Sequence, residues 1–392
     1  MKTRNQMTYI DNGATSFPKP EGVLEAFMEF AKKVGASPER GAYESAHEAE
    51  RMIYHTRELI AKLLGAKDPD RIAFAKNATE ALNLAIFGLI KNGDKVVTTR
   101  MEHNAVIRPL IELERQGKIE VLWAQVTPKG RLDLEQLFEL AETPGVTMVI
   151  TTGIANSTGV IVPFWQIGDF CRQRGITYIV DGAQLAGVYP VNVEEDDIDI
   201  LAFTGHKGLY GVPGTGGLYI SEHVESAVHP LIWGGTGGHS DLPTMPSELP
   251  DRFEAGTPNT PGIVALGTGV EWVLDRGVEN IHQHKQQLLT IMLEMLRDVP
   301  GLKLFGPQTD IDRTAIVPVT IDGTNPKDVA KILWDRYKIA VRAGCHCAPQ
   351  IHFDLGAPKG TTRFSFGEFN TVDDAEYAAE AIIEIAKEAG NR

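Results

Sequence analysis

Ile176-Thr177-Tyr178-Ile179-Val180-Asp181 and, further on, Thr204-Gly205-His206-Lys207-Gly208 are the stretches that decide the fold of this 392-residue chain. The first reads as a buried strand that delivers an aspartate at its carboxyl end, where open α/β sheets bind their ligands. A lone lysine after Gly-His is ordinarily a solvated surface charge. Here Lys207 comes 26 residues after Asp181 with an imidazole beside it. An amine, an imidazole and a strand-end carboxylate are the parts that hold pyridoxal phosphate. Lys207 would form the Schiff base to the aldehyde, and Asp181 would keep the pyridine nitrogen protonated so that the ring accepts electrons.

Working outward, short apolar strands alternate with helical patterns through the first two-thirds of the chain. Arg71–Ala75 precedes a helix from about Thr79 to Leu89, and Lys95–Thr99 precedes one ending near Gly117. Glu120–Trp123, Val146–Thr151 and Ile176–Val180 are further strands. Such alternation predicts an α/β fold with a mainly parallel sheet covered on both faces. Residues from Gly234 to Pro261 are rich in Gly, Pro, Thr and Ser, as a long functional loop would be. Helices at about Gly262–Arg276 and Glu279–Val299 follow. A second, α+β unit then reads as strand Ala315–Ile321, helix Lys327–Tyr337, strand Ile339–Arg342, strand Thr362–Phe366 and helix Asp373–Ala389. Asn325-Pro326 supplies a cap and an N1 proline for the first of these helices.

A formal charge of -14 with 43% hydrophobic residues argues for a large core and against a nucleic-acid or acidic-membrane binder, which needs a basic face. No apolar run is long enough to span a bilayer, and the polar start Met1–Met7 has no signal-peptide core. Three cysteines, Cys171, Cys345 and Cys347, are too few and too unevenly placed for a disulfide framework, so a reducing, cytoplasmic location is expected.

Several polar residues fall just after predicted strands. Thr79, in Asn77-Ala78-Thr79-Glu80, stands at a strand-to-helix passage suited to phosphate, although threonine there is also a common helix cap. His103 could stack on an aromatic ring or be a surface histidine. Asn156 could bond a ring oxygen or simply make a turn, and Gln184 could bond the same oxygen or cap the next segment. Because they all follow strands of one sheet, they could converge on one edge.

In these pieces, with Tyr9-Ile10-Asp11-Asn12-Gly13-Ala14-Thr15, Glu102-His103-Asn104-Ala105, Asp181-Gly182-Ala183-Gln184, Arg252–Asn259 and Arg342-Ala343-Gly344-Cys345-His346-Cys347-Ala348, the chain resembles the cysteine desulfurases and selenocysteine lyases. These belong to the class V aminotransferase group of fold-type I pyridoxal-phosphate enzymes. The resemblance implies a large cofactor-binding domain over 15–262 with a seven-stranded-type sheet, and a small domain made of 1–14 and 263–392. It implies Lys207 as the Schiff-base lysine, His103 as the ring stacker and Asp181 as the pyridinium partner. Thr79, Thr204 and His206 would bind phosphate, with Glu80 counted among the cofactor contacts. Asn156 and Gln184 would meet the phenolic oxygen and substrate. Thr257 would reach the phosphate of a neighbouring subunit, which implies a homodimer with composite sites. Thr204 replaces a serine frequent in relatives and keeps the hydroxyl.

The same resemblance places the sulfur-accepting nucleophile at Cys347, on a short loop, and a carboxylate-gripping arginine at Arg363, with Arg342 contributing. Read from residues alone, Arg363 could instead pair with Glu368 or Asp354. A thiolate can take sulfur from L-cysteine and hold it as a persulfide, and Arg342 or His346 could favour that thiolate. Cys345 departs from the commoner pattern. It could relay the persulfide or be a bystander, while a zinc site with Cys347 and His352 suffers from spacing too short for structural zinc. The expected activity is conversion of L-cysteine to L-alanine with sulfur handed to an acceptor protein. Selenocysteine lyase or another C–S lyase is the alternative, and a lapsed cofactor-binding protein is a more distant one.

Overall fold

The computed structural model describes residues 4–38, 41–237 and 241–391. The N-terminal reading at 1–3 and part of the Gly-rich stretch, 238–240, lie outside the described residues, as do 39–40 and 392. Seven strands make the large sheet in the order Ile72–Ala75, Gly216–Ile220, Ile200–Thr204, Thr177–Asp181, Val146–Thr152, Asp94–Thr99, Ile119–Ala124. In this sheet Gly216–Ile220 runs against its neighbours, and the other pairings are parallel. The strands are apolar on both faces because both faces are covered. Val149, Val180 and Leu201 enter one core, while their neighbours Ile150, Ile179 and Ala202 enter the other.

Two further strands, Ile200–Thr204 and Gly216–Ile220, complete the sheet; the first is an apolar run, and the second carries no clear sequence signal. Glycine weakens strand patterns, yet Gly216 and Gly217 are required by proximity. A Cβ at Gly217 would lie 2.4 Å from the Ala73 carbonyl oxygen, and one at Gly216 would lie 2.8 Å from Asn77 Cα. The close approach at Gly216 brings the start of helix Ala78–Leu89 against the strand that ends in Thr204. A long helix, Glu44–Leu64, packs on helix Thr260–Arg276.

The C-terminal part forms a four-stranded antiparallel sheet in the order Arg342–Gly344, Thr361–Ser365, Ile316–Ile321, Leu302–Leu304. Helices Val278–Leu296, Pro326–Tyr337 and Val372–Gly390 cover it, with a separate core around Val317, Leu333, Phe364 and Ile382. The single strand expected over Ile339–Arg342 is two. Ile339–Ala340 pairs with the N-terminal Thr8–Tyr9, and Arg342–Gly344 pairs with Thr361–Ser365. The break lets one short segment tie the N-terminus to the C-terminal unit and then turn its arginine toward the cleft. Among the described residues no helix is long and apolar enough to cross a membrane.

Candidate active site

Parallel register aligns the strand ends that carry the candidate residues. Thr152 lies opposite Asp181, so two adjacent strands finish at one level, and Asp181 lies opposite Ala202, beyond which the third strand runs two residues further to Thr204. Asp181 is buried, and its Oδ1 accepts from the Ala183 backbone N–H at 2.9 Å, which fixes the carboxylate's direction. Two residues past the end of its strand, His206 leads to Lys207. A Cβ at Gly205 would lie 2.1 Å from Thr215 Oγ1, so the turn there needs glycine. Four donors hold the His206 carbonyl: the Ser16 N–H at 2.9 Å, Thr15 Oγ1 and Ser16 Oγ at 3.1 Å, and Lys19 Nζ at 3.2 Å. Burial pushes the Lys207 amine down to about 8, and Asp181 works against that fall. A neutral amine is therefore accessible near physiological pH, as a nucleophile requires.

These groups line a cavity of about 240 Å³ together with Thr79, His103, Asn156, Gln184 and Thr204. At its far end, Asn77 caps helix Ala78–Leu89 by accepting from the Glu80 N–H at 3.0 Å. Thr79 is thus not the cap, and it lines the cavity wall. Thr204 Oγ1 and His206 Nδ1 are buried without a hydrogen-bond partner. Burial, then the Lys207 charge, brings the His206 imidazole down to about 4, so it is neutral. Unpaired buried polar atoms beside a helix N-terminus are what a phosphate would satisfy. His103 lies at the wall with its Nδ1 accepting from the Ala105 N–H at 3.0 Å. Burial lowers its pKa, so the ring is neutral and carries its proton on Nε2. Gln184 Nε2 donates to the Gly13 carbonyl at 2.8 Å, linking the cavity to the N-terminal segment.

Arg342 and Arg363 lie directly opposite each other on paired antiparallel strands. Like charges so placed repel, and Asp11 relieves this by bridging both, at 2.9 Å to Arg342 and 3.3 Å to Arg363. Arg363 is buried. It also donates to the Asn156 carbonyl at 3.0 Å, and its Nε has no partner. The alternative pairings do not occur: Asp354 joins Arg100 and Glu368 joins Arg276. Asp11, quoted in a motif without a role, is thus the anion between the two arginines.

The Cys347 loop meets this cavity from the other side. His346 and Cys347 are consecutive non-glycine residues with positive φ, 48° and 58°. Each such residue costs of order 1–3 kcal/mol and persists only where surroundings enforce it. Asn156 Nδ2 holds the His346 carbonyl at 2.6 Å, and the Asn104 N–H, next to His103, holds the Cys347 carbonyl at 2.7 Å. Cys347 itself is exposed and Cys345 is half-buried, while Cys171 is buried with its thiol pushed up to about 12 by desolvation.

Eight predicted residues thus share one cavity, while Arg342, Arg363 and Cys347 stand beside it. Glu80 and Thr257 do not join them. Glu80 accepts from the Lys76 N–H at 2.6 Å, and both residues line a different cavity of about 330 Å³. Glu102 was quoted only as part of a motif. It is fully buried, its Oε1 accepting from Thr99 Oγ1 at 2.6 Å and the Thr152 N–H at 3.0 Å.

Residues 8–377 match the family model of the class-V aminotransferases. The chain is 33% identical to a probable cysteine desulfurase of Halobacterium salinarum, covering 96% of this chain and 91% of the relative. It is 31% identical to the cysteine desulfurase of Haloferax volcanii, covering 96% and 88%. Among solved structures, the apo cysteine desulfurase from Thermococcus onnurineus NA1 superposes with a TM-score of 0.92 at 33% identity, covering 98% and 96% of the two chains. The cysteine desulfurase CsdA (S-sulfonic acid) from Escherichia coli superposes with 0.87 at 29% identity, covering 98% and 95%. Together with the lysine, aspartate and exposed thiol at one cleft, these matches establish that the chain belongs to the class-V aminotransferases, in the cysteine desulfurase family.

Proposed function

We propose that this enzyme converts L-cysteine to L-alanine and keeps the sulfur on Cys347 as a persulfide for an acceptor protein. The observation that carries the reading is the junction at Asn104. Its backbone ties the Cys347 loop to the wall that holds His103, so an exposed thiol stands beside a cavity containing Lys207 and Asp181. Pyridoxal phosphate fits that cavity. Lys207 would anchor it, Asp181 would face its ring nitrogen, His103 would cover its face, and Gln184 and Asn156 would meet its ring oxygen. Its phosphate would satisfy Thr204, His206 and Thr79. Bound there, it supplies an electron sink for the substrate's α-carbon.

The remaining work belongs to the chain. Arg363 grips the substrate carboxylate, with Arg342 at the rim, and Asp11 keeps the two cations compatible. Lys207, whose amine is lowered to about 8, moves the α-proton. Cys347 attacks the substrate sulfur: the Cβ–S bond breaks, an S–S bond forms, and the alanine carbon takes a proton. Neither oxidant nor reductant is consumed.

We read residues 15–262 as the cofactor-binding domain, with 1–14 and 263–392 as the smaller one. A homodimer is proposed because Leu231 and Ile232 are exposed at the cavity that contains Thr257, and the next residue, Trp233, is exposed as well, a surface a second copy would cover. In that dimer Thr257 and Glu80 would face the partner's cofactor. Three free cysteines accord with a reducing, cytoplasmic location.

The test is to incubate the purified protein with L-cysteine without reductant, then quantify alanine and the mass of the peptide holding Cys345 and Cys347. About one alanine per subunit with one extra sulfur on Cys347 is expected. Bound cofactor without alanine would overturn the L-cysteine assignment, and a strong preference for selenocysteine would redirect it.

A further inference from the structure

We infer that Thr361 and His352 are positioning residues for the sulfur-receiving thiol, acting through a directional hydrogen-bond chain that runs His346, Thr361, His352, Ala348. The inference rests on the reading of Cys347 as the sulfur acceptor. Its starting point is a buried cluster outside the cofactor cavity: His346, His352 and Thr361 are all buried, with the two imidazole centroids 5.4 Å apart.

The proton positions follow by elimination. His352 Nδ1 lies 2.8 Å from the Ala348 carbonyl oxygen, which can only accept, so Nδ1 carries the proton. Burial lowers the His352 pKa, so the ring is neutral and Nε2 is an acceptor. Its partner is the Thr361 hydroxyl, a longer contact at 3.5 Å. With that hydroxyl proton directed to His352, the Thr361 oxygen is free to accept from His346 Nε2–H at 3.1 Å. The reverse direction would leave two ring acceptors facing one hydroxyl and would put the His346 proton on Nδ1, which has no partner. One arrangement therefore uses every proton.

The consequence is local. The carbonyls of His346, Cys347 and Ala348 are held in turn by Asn156, Asn104 and His352, and the Ala348 N–H closes a turn on the Cys345 carbonyl at 2.8 Å. Around Cys347 the backbone is pinned while the thiol is left exposed. Thr361 is placed for this because its strand starts against Gly344, where a Cβ on Gly360 would lie 2.1 Å from the Gly344 carbonyl carbon. No side chain but glycine lets those two segments touch.

The test compares Thr361→Val, which keeps shape and removes the hydroxyl, with Thr361→Ser, which keeps the hydroxyl, in the cofactor-loaded enzyme. His352→Phe is a second break in the same chain. Amide hydrogen exchange in the peptide over 345–353 reads the loop directly, and alanine formation reads its use. Thr361→Val and His352→Phe should speed exchange there and lower kcat by about fivefold or more, as loss of a buried hydrogen bond predicts, with KM for L-cysteine little changed. Thr361→Ser should restore both. Unchanged exchange in Thr361→Val overturns the inference whatever the activity does. Faster exchange with kcat unmoved supports the clamp and counts instead against Cys347 as the acceptor.

Discussion

Asp181, Thr204 and Lys207 leave the ends of neighbouring strands in a sheet buried on both faces, whereas Cys347 sits on a loop of two successive left-handed residues held by side chains from elsewhere. The first end is rigid because the backbone ladder itself aligns it. The second is rigid only while Asn156, Asn104, Thr361 and His352 keep their bonds. The difference matches the proposed chemistry: an electron sink works only in one orientation, while a thiol that is to receive sulfur and then present it needs to stand clear of the fold. Precision at the sheet edge comes from many cooperative backbone bonds, and at the loop from a few isolated bonds, of which those of Asn156 and His352 are made by side chains that single substitutions can remove.

The sharpest way to break the comparison is to disable each end separately. Lys207→Ala should lower alanine formation by about a thousandfold or more, since the nucleophile and proton carrier are lost together. Cys347→Ser should abolish the persulfide on the 345–347 peptide yet leave the spectral change on adding L-cysteine to the bound cofactor. If Cys347→Ser also erased that spectral change, the two ends would not be separable and the comparison would fail. Between them lies the arginine pair. Arg363→Lys keeps the charge but loses the planar fork, so KM for L-cysteine should rise by about tenfold with a smaller change in kcat. A KM within twofold of the native value would remove Arg363 from carboxylate recognition.

The same contrast explains what could be read from sequence. Asp181, Asn156 and Gln184 were legible because a short, continuous apolar run announces its own end, and polar residues after it have few structural reasons to be there. Boundaries of helix Pro326–Tyr337 followed from a cap and a proline. Asp11 was opaque in role because its meeting with Arg342 and Arg363 depends on Thr8–Tyr9 pairing with Ile339–Ala340, a contact more than 300 residues apart in the chain. His352 and Thr361 were opaque for a similar reason: their hydrogen-bond chain exists only in the geometry between them. Strand Gly216–Ile220 hid behind the glycines that make it possible, and the break at Val341 hid because both halves are β-like and differ only in their partner.

The smallest expected effect concerns the rigid end, at Glu102. Burial pushes its carboxyl up to about 8; its two hydrogen bonds oppose the rise, and the charge of Asp181 adds to it. It is therefore protonated at neutral pH, leaving Asp181 as the charge beside the cavity. Its ordinary value is 4.5, so between pH 4.5 and about 8 the folded protein binds the proton that the unfolded chain has released. Stability from this group is present below that window and is lost as pH rises through it. The buried histidines act on the acid side: His206, lowered to about 4, costs stability as pH falls below its ordinary 6.5. Between pH about 6.5 and 8, Glu102 should cost the native protein on the order of 1–2 kcal/mol in urea unfolding relative to a Glu102 variant, because the opposing contributions of Lys19, Lys207 and Lys285, each lowered to about 8, are shared by the two proteins. Glu102→Gln, neutral at every pH and nearly the same shape, should flatten that loss and keep kcat at pH 7 within about twofold. An equal loss in Glu102→Gln would mean the carboxyl is already ionised, with the sheet edge carrying a second negative charge beside Asp181.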